Sequence, residues 1–375
     1  MRCIAVVEAR MGSTRFPGKS LAPLVGLPVL GHIGKRLAVC PVLERMVLAT
    51  SVLPRDDVLA EAGPKYGFEV VRGPEDNLLA RHLLALERYE PDIVVRVTGD
   101  CPLADPDVIA RLVDLLLQTG AEYATVREGV PCIHQGIDPC RSSVLRRLAA
   151  RHGDDPLVRE HVTSWLKSRP DFAPIAYLEL MEREKFAGAR ICIDTPADLA
   201  FLEAVYAALG AAPGEADIRD VADLLRARPW LMDINSHVAQ KTAGQPTLRL
   251  VIQAGDGADA AFLAAVAAVL RDAHGLGVRV HQPPGQAQEP ELRPFGVVAD
   301  PGDFQPDILL RAAGTGSPDP GVPGVDLTQG DGLAQFVPGP GLGLAPVQTG
   351  LDGPGIRTAA AYLAACARKR REGPC

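Results

Sequence analysis

Several features that would assign this chain to a familiar class are missing from its sequence. The 375 residues include eight cysteines, but none forms a C-x-x-C pair or lies near histidines at a metal-site spacing. No apolar run reaches the roughly 18 residues of a membrane helix, and Glu8 interrupts the first apolar run too early for a signal-peptide core. We therefore predict reduced thiols, a cytoplasmic location and no membrane partner.

An excess of positive charge is also missing. The chain has 39 Lys and Arg residues against 46 Asp and Glu residues, which gives a net charge of −7 and a pI near 5.7. This balance argues against general binding of nucleic acid, so a short basic stretch on this chain should bind a small polyanion. With 47% hydrophobic residues, the length predicts a core of ordinary size and two domains.

The strongest local signal lies in residues 4–19. Ile4 to Val7 form an uninterrupted apolar run that is typical of a buried strand. The next residues, R-M-G-S-T-R-F-P-G-K, combine glycines that admit an anion close to the backbone with hydroxyl groups and three cations. Arg15 could grip phosphate oxygens in a bidentate fork, and Lys19 would supply a mobile point charge. The loop is neither a Walker A loop nor a G-x-G-x-x-G turn, and a solvated basic turn is the alternative interpretation.

Strands and helices are predicted to alternate over the first 235 residues. Apolar runs indicate strands at 46–50, 68–71, 93–97 and 188–193, and helical spacing indicates helices at 29–39, 55–66, 77–90, 142–152, 157–168, 196–209 and 217–227. This alternation predicts an α/β fold with a doubly wound, mostly parallel sheet. Ligands of such sheets bind at the carboxyl ends of the strands, where the basic loop also lies.

The composition changes after residue 235. Residues 236–247 are polar and aperiodic and are predicted to be a linker, and 36 of the last 134 residues are Gly or Pro. Strands are still predicted at 248–253, 278–281 and 295–298, and helices at 258–273 and 355–371. We therefore expect a domain at 1–235 and a smaller, Gly/Pro-rich C-terminal α/β domain at 248–375, for which the sequence assigns no role and favours packing or partner binding over catalysis.

Two aspartates follow predicted buried strands. Asp100 lies in T-G-D-C-P and Asp194 in I-D-T-P-A-D-L, and carboxylate oxygens at such positions can hold Mg²⁺ bound to phosphates. Helix capping is the alternative in both cases. Asp100 could belong to the turn before a helix beginning near Pro106, and Asp194 or Thr195 could cap the helix beginning at Pro196.

These motifs together resemble those of a known enzyme family. The segments at 10–19, 98–102 and 193–199 are similar to the signatures of the cytidylyltransferases that activate 2-keto-3-deoxy sugar acids, especially the branch of spore-coat and flagellar polysaccharide synthesis. Acylneuraminate cytidylyltransferases and CMP-Kdo synthetases are relatives of this branch. The resemblance extends to about residue 235. It implies a nucleotide-diphospho-sugar transferase-like, Rossmann-type fold, CTP and a sugar acid as substrates, and Mg²⁺ as cofactor, and it leaves a homodimer open.

The resemblance also implies roles for individual residues. The catalytic residues would be Arg15, Lys19 and Asp100, and the metal ligands Asp100 and Asp194. The nucleotide would be bound by Ala9, Arg10, Met11, Gly12, Ser13, Arg15, Lys19, Asn77 and Arg81. The last two lie in a stretch similar to the G-x-E-D-N-V-L-x-R segment of the family, although a charged helix N-terminus would also explain it. Arg81 could contact phosphate or brace the loop.

The acceptor half of the site matches less closely. R-E-H-V-T at 159–163 and G-I-D at 136–138 resemble family motifs, but residues 130–140 otherwise depart from the usual pattern. The residues expected to contact the acceptor are Gln135, Asp138, Arg159, Glu160 and His161. A partly buried structural histidine is the alternative for His161. We therefore expect ordinary CTP binding and unusual acceptor choice.

The function implied by the resemblance is the transfer of a cytidylyl group from CTP to a sugar acid with release of pyrophosphate. Three alternatives stay open at this point. The chain could be a nucleotidyltransferase that uses GTP or CTP on a phosphonate or a cofactor precursor, a glycosyltransferase that uses a nucleotide sugar, or an assembly protein without activity. Nucleotide selectivity, pyrophosphate release and magnesium-dependent CTP binding distinguish them.

Overall fold

The computed structural model describes residues 1–239, 249–253, 260–273, 276–281, 297–298, 308–312, 324–330, 333–338, 347–350 and 352–372. The chain divides into two compact units. The first consists of Met1–Ser13 and Gly18–Ser236, and the second of Thr14–Pro17 and His237–Cys375. Most of the predicted linker, residues 240–247, lies outside the described residues.

A seven-stranded sheet forms the centre of the first unit. In the order in which they pair, its strands are β5 (Glu69–Gly73), β4 (Arg45–Ser51), β1 (Cys3–Glu8), β6 (Ile93–Thr98), β8 (Ile137–Arg141), β7 (Tyr123–Thr125) and β9 (Ile175–Tyr177). The pairs β4·β5, β1·β4, β1·β6 and β7·β9 are parallel, whereas β6·β8 and β7·β8 are antiparallel. The predicted α/β class and mostly parallel sheet are therefore confirmed. A short hairpin, β2 (Pro23–Leu24) and β3 (Leu27–Pro28), follows the basic loop.

Helices flank this sheet and bury their apolar stripes. They are α1 (Val29–Ala38), α2 (Asp57–Ala62), α3 (Leu78–Tyr89), α4 (Pro106–Thr119), α5 (Ser142–His152), α6 (Pro156–Glu160), α7 (Val162–Lys167), α8 (Pro196–Leu209) and α9 (Ile218–Ala227). Short 3-10 turns lie at Lys19–Leu21, Pro54–Asp56, Gly63–Tyr66, Glu182–Glu184 and Pro229–Ile234. One core cluster joins Val6, Val47 and Val94 of neighbouring strands to Leu79 and Leu86 of α3, so strand and helix periodicity here correspond to a shared apolar interior.

Two predicted elements differ in the structure. The strand expected at 188–193 does not form. Ile191 and Ile193 are buried, as the alternation of apolar and polar residues predicted. The segment forms no ladder with a strand of the sheet, and Ile193 N donates to Asp100 O at 2.7 Å. The helix expected at 157–168 is divided at His161, whose φ of −133° is not helical, into α6 and α7.

The described part of the second unit has a sheet of its own. Its paired order is β12 (Val297–Val298), β11 (Gly277–His281), β10 (Arg249–Gln253), β13 (Ile308–Ala312), β14 (Gly324–Gly330), β15 (Leu333–Pro338) and β16 (Val347–Gly350). The helices α10 (Ala260–Asp272) and α11 (Gly353–Glu372) pack against it through a core that includes Phe262, Phe336 and Leu363. None of the helices in the described residues is both long and apolar enough to cross a membrane.

A network of charged side chains is buried across the first sheet. Arg96, on β6, lies opposite Asp138 of β8 in the antiparallel register. Its guanidinium donates to Asp138 Oδ2 at 3.0 Å and also to a carboxylate oxygen of Glu8 at the end of β1. Asp138 further accepts from Tyr123 Oη at 2.6 Å and Thr163 Oγ1 at 3.0 Å. Buried charges are tolerated only when they are paired in this way, so the network fixes the register of β1, β6 and β8.

The pKa values in the network reflect competition between burial and pairing. Burial alone would raise the pKa of Asp138, but Lys167 and Arg96 lower it to about 2. For Glu8 burial outweighs the attraction of Arg96, and its pKa is raised. Burial and the neighbouring Arg96 and Arg81 lower the pKa of His82 to about 3, so His82 is neutral beside Glu8 at physiological pH.

We predict that Asp138→Asn lowers the free energy of unfolding of the first unit by about 3 kcal/mol at pH 7, because it removes one of the two carboxylates that pair with the buried Arg96. The folded pKa of Asp138 is depressed, so its contribution is present above the unfolded pKa of about 4 and is lost as the pH falls towards the folded pKa of about 2. The difference between variant and wild type should therefore narrow as the pH falls below about 4.

Urea unfolding followed by tryptophan fluorescence measures this, because both tryptophans, Trp165 and Trp230, lie in the first unit. Asp114→Asn, at an exposed site on α4, is the control and should change stability by less than about 0.5 kcal/mol. Equal stability of Asp138→Asn and the control at pH 7 would contradict the prediction.

Candidate active site

The basic loop begins where β1 ends and is closed by its own backbone. Gly18 N donates to Met11 O at 3.0 Å, and Gly18 has a φ of 75°, a conformation that favours glycine. Met11 N donates to Asp56 Oδ1 at 2.6 Å, and Asp56 is completely buried. The loop is therefore held at its two ends, and Lys19 follows directly as the first residue of a 3-10 turn.

Lys19 joins the two predicted metal ligands. Its Nζ lies 2.6 Å from Asp100 Oδ2 and 2.9 Å from Asp194 Oδ1. The Lys19 side chain is 14% exposed, and each aspartate side chain is 22% exposed. Burial by itself lowers the pKa of Lys19, but the charges and hydrogen bonds of the two aspartates outweigh it and raise that pKa. An ammonium group thus occupies the point on which both carboxylates converge.

Neither aspartate is a helix cap. The N-cap of α4 is Asp105, whose carboxylate accepts from Asp107 N at 3.2 Å. The N-cap of α8 is Thr195, which forms a capping box with Asp198. The alternative interpretation is therefore confirmed for Thr195 as a cap and for the turn at Asp100, whereas capping by Asp100 or Asp194 themselves is wrong. The carboxylates of both aspartates contact Lys19.

Close backbone contacts bring the carboxyl ends of the strands together. Gly99 N donates to Glu8 O at 2.9 Å, and a Cβ at Gly99 would lie 2.6 Å from both Glu8 O and Ala9 Cβ. Only glycine allows the loop after β6 to approach the loop after β1 so closely. Ala9, predicted to contact the nucleotide, is buried at this approach.

A disulfide links the two aspartate-bearing segments. Cys101, next to Asp100, is bonded to Cys192, two residues before Asp194. The prediction that all thiols are reduced is therefore wrong for this pair. The reason is tertiary: the cysteines are 91 positions apart in the sequence, and only the fold brings their Cα atoms to 4.4 Å. The other cysteines among the described residues are free thiols, namely Cys3, Cys40, Cys132, Cys140 and Cys366.

The other residues predicted for the nucleotide lie in well-defined local structures. Arg10 is 3.8 Å from Glu75 Oε1. Asn77 is the N-cap of α3 and accepts from Ala80 N at 2.9 Å. Arg81 is 5% exposed and donates to Pro74 O at 2.6 Å and Glu75 O at 2.9 Å, so it braces this turn.

The remaining residues predicted for the nucleotide are divided between the two units. Gly12 and Ser13 lie in the first unit, whereas Arg15 is in Thr14–Pro17, the segment of the second unit. The contacts of these residues with a nucleotide stay predictions.

The residues predicted to contact the acceptor differ in their surroundings, and several of them are already paired with other groups of the protein. Asp138 belongs to the buried network, where its two oxygens already accept from several donors. Gln135 Nε2 donates to Ala189 O at 2.9 Å, and Arg159 pairs with Asp154 at 2.7 Å. The Glu160 side chain is 68% exposed, and His161, at the break between α6 and α7, is 32% exposed.

A second group of potential metal ligands is occupied by an arginine. Asp105, His134 and Glu184 present ligand atoms within 4.8 Å of one another. Arg219 Nη1 lies 3.3 Å from Asp105 Oδ2 and 3.4 Å from Glu184 Oε1, so a guanidinium supplies the positive charge there. Burial lowers the pKa of His134, which adds no charge of its own at neutral pH.

Sequence reasoning missed Arg190. Its guanidinium Nη2 lies 3.3 Å from Asp194 Oδ2, and its Nε lies 3.2 Å from Asp198 Oδ1. An arginine four residues before an aspartate is too common to indicate a site by itself. Arg190, Asp194 and Asp198 are spaced by four, a spacing that brings side chains together on a helix. The sequence predicts a strand at 188–193, in which that spacing would keep them apart.

Comparisons with known proteins agree with this geometry. A cytidylyltransferase family model matches residues 4–218. The chain is 28% identical over 228 residues to the spore coat polysaccharide biosynthesis protein SpsF of Bacillus subtilis, covering 60% of this chain and 94% of that protein. It is 32% identical over 142 residues to a 3-deoxy-manno-octulosonate cytidylyltransferase of Trichlorobacter lovleyi, covering 37% of this chain and 55% of that enzyme.

The chain is also similar to a solved structure over nearly the whole length of that structure. The solved structure is a cytidylyltransferase from Leptospira borgpetersenii, with 28% identity and a TM-score of 0.57, and the match covers 66% of this chain and 98% of that one. The family match spans more than half of the chain and includes the basic loop and both aspartates. The chain therefore belongs to the cytidylyltransferase family and is a nucleotidyltransferase enzyme.

Proposed function

We propose that this enzyme transfers a cytidylyl group from CTP to a 2-keto-3-deoxy sugar acid of the nonulosonic type, for surface polysaccharide or flagellar glycan synthesis. The observation that carries the proposal is the convergence of Asp100 and Asp194 on one cation at the end of the basic loop. The anomeric hydroxyl of the acceptor attacks the α-phosphorus, a new P–O bond forms, and the bond to the bridging oxygen of the β-phosphate breaks. The hydroxyl proton passes to solvent water, and pyrophosphate leaves with the bridging oxygen and the electron pair of the broken bond.

The site fits a divalent cation. Asp100 and Asp194 offer only oxygen donors, and the Lys19 ammonium at 2.6 and 2.9 Å marks a point where both bind positive charge. Mg²⁺ prefers such oxygen ligands. Asp100 and Asp194 would hold the ion, which would supply charge neutralisation for the triphosphate.

Lys19 and the rest of the basic loop would then act on the phosphates. Its charge matters most when negative charge develops on the departing pyrophosphate, because fixed cations at that position stabilise the transition state more than the ground state. Arg10 would hold the triphosphate in place. Positioning and charge neutralisation are the main contributions that a protein makes to transfers of this kind.

The first prediction from the proposed function concerns the aspartates. Asp100→Asn and Asp194→Asn should each raise the Mg²⁺ concentration for half-maximal pyrophosphate release by about tenfold or more, because an amide supplies an oxygen without the charge. Asp171→Asn, an exposed carboxylate in the same unit, is the control and should behave like wild type. If Asp194→Asn changes only the thermal midpoint, Asp194 is not a metal ligand.

The second prediction concerns Lys19, which competes with a metal ion for the same two carboxylates. Without nucleotide, Lys19→Met should bind Mn²⁺ several-fold more tightly than wild type, as measured by the EPR signal of free Mn²⁺. With saturating CTP and acceptor, its turnover should fall by about 100-fold. Lys35→Met, on α1, is the control and should change neither quantity. Unchanged turnover would remove Lys19 from the catalytic role.

The third prediction tests the acceptor. With CTP and Mg²⁺, we expect pyrophosphate release with nine-carbon acids of the neuraminate, pseudaminate or legionaminate type ahead of the eight-carbon Kdo. Replacing residues 132–140 by a family-typical segment should change the preferred acceptor more than the KM for CTP. Reaction only with a phosphonate or another hydroxyl compound would reject the sugar acid, and nucleoside diphosphate release from a nucleotide sugar would reject the cytidylyl transfer.

A further inference from the structure

We propose that Arg190 is a positioning residue that holds Asp194 ready for the metal ion. The proposal rests on the proposed metal-binding role of Asp194. Arg190 Nη2 lies 3.3 Å from Asp194 Oδ2, whereas Asp194 Oδ1 lies 2.9 Å from Lys19 Nζ. The two oxygens of Asp194 are thus engaged by different cations, and the Arg190 contact determines which oxygen faces the point between the two aspartates.

Arg190 can act in this way because its own side chain is fixed. Its Nε and Nη2 lie 3.2 and 3.4 Å from the two oxygens of Asp198, in a fork-to-fork arrangement that only a guanidinium can make. The Arg190 side chain is 15% exposed and the Asp198 side chain 0% exposed. The guanidinium therefore bridges a completely buried carboxylate and a partly exposed one.

Asp198 is itself held by several donors. Its Oδ2 accepts from Asp194 N at 3.0 Å and from Thr195 N at 2.9 Å. Its Oδ1 accepts from Asn235 Nδ2 at 3.0 Å, and the same amide donates to Arg190 O at 3.0 Å. Asn235 is 2% exposed and lies just after the 3-10 turn Pro229–Ile234. Both the backbone and the side chain of Arg190 are thereby anchored.

This arrangement gives a purpose to the second aspartate of I-D-T-P-A-D-L. Asp198 completes the capping box of α8 and at the same time anchors Arg190. The motif therefore specifies the direction of the Asp194 carboxylate as well as the start of a helix.

Two effects of Arg190 on a metal ion have opposite signs. Its positive charge near Asp194 weakens the attraction of that carboxylate for a second cation. Its hydrogen bond orients the carboxylate and so strengthens binding, because a ligand that is already in place loses less freedom when the ion binds. Arg190→Lys separates them, since it retains the charge but cannot bridge Asp194 and Asp198 together.

The test measures Mn²⁺ binding by EPR in the presence of CTP, together with steady-state kinetics in Mg²⁺. We expect Arg190→Lys to raise the Mn²⁺ dissociation constant about tenfold and the Mg²⁺ requirement in parallel. The KM for CTP at saturating Mg²⁺ should stay within about twofold of wild type. A purely structural role would lower the thermal midpoint without shifting the metal affinity of the folded enzyme.

The matched control is Arg183→Lys. Arg183 also bridges two aspartates, Asp220 and Asp223, at 2.8 Å each, but its side chain is 52% exposed and both of its partners lie on α9. It should leave Mn²⁺ affinity unchanged. If Arg190→Lys does not unfold cooperatively, Asn235→Ala takes its place, because it removes the amide that links Asp198 to the backbone of Arg190 without altering the guanidinium. It should weaken Mn²⁺ binding in the same direction.

The outcomes distinguish this inference from the proposed function. Weaker Mn²⁺ binding by Asp194→Asn and wild-type binding by Arg190→Lys or its replacement would overturn the positioning role alone. Wild-type Mn²⁺ binding by Asp194→Asn itself would overturn the metal role of Asp194, and the positioning role with it. Tighter Mn²⁺ binding by Arg190→Lys would overturn positioning as well, because the retained charge leaves geometry as the only change.

Discussion

The arrangement of the first unit depends on holding two like charges close together. Asp100 and Asp194 both contact one nitrogen, and unit charges about 5 Å apart repel by about 3 kcal/mol at an effective dielectric constant of 20. The Lys19 ammonium offsets this repulsion. Because Lys19 follows the closed basic loop, the same interaction that neutralises the carboxylates also fixes the end of that loop.

The surrounding structure is arranged to keep those carboxylates in place. The absence of a side chain at Gly99 lets the loops after β1 and β6 touch, and a backbone bond from Ile193 to Asp100 joins the segment before α8 to the same edge. Beneath them, Arg96 crosslinks β1, β6 and β8 through buried charge pairs. Such pairs add little net stability compared with apolar residues, but they penalise any other strand register.

The sequence predicted the parts of the fold that local physics determines. Strands such as β1 and β6 are continuous apolar runs, so the hydrophobic pattern alone predicted their positions. The order of the sequence motifs predicted that the basic loop and both aspartates follow strands. β8 was missed because it contains Pro139, which cannot donate to a ladder, and is short and only partly apolar. Apolar and polar residues alternate over 188–193 as in a strand, because Ile191 and Ile193 are both buried. The segment is still not a strand, since its backbone does not pair in a ladder. Arg190 and the disulfide depend on contacts between distant segments, which local patterns do not encode.

The disulfide has a topological consequence. Because Cys101 and Cys192 are joined, the chain between them is a covalently closed ring that contains β7, β8, β9 and α4 to α7. Asp100 directly precedes Cys101, and Asp194 lies two residues after Cys192, so both aspartates lie just outside the ring. Hydrolysis of any single peptide bond within the ring would leave these aspartates on pieces that cannot diffuse apart. A break in the backbone anywhere between Cys101 and Cys192 therefore leaves Asp100 and Asp194 covalently tethered to each other.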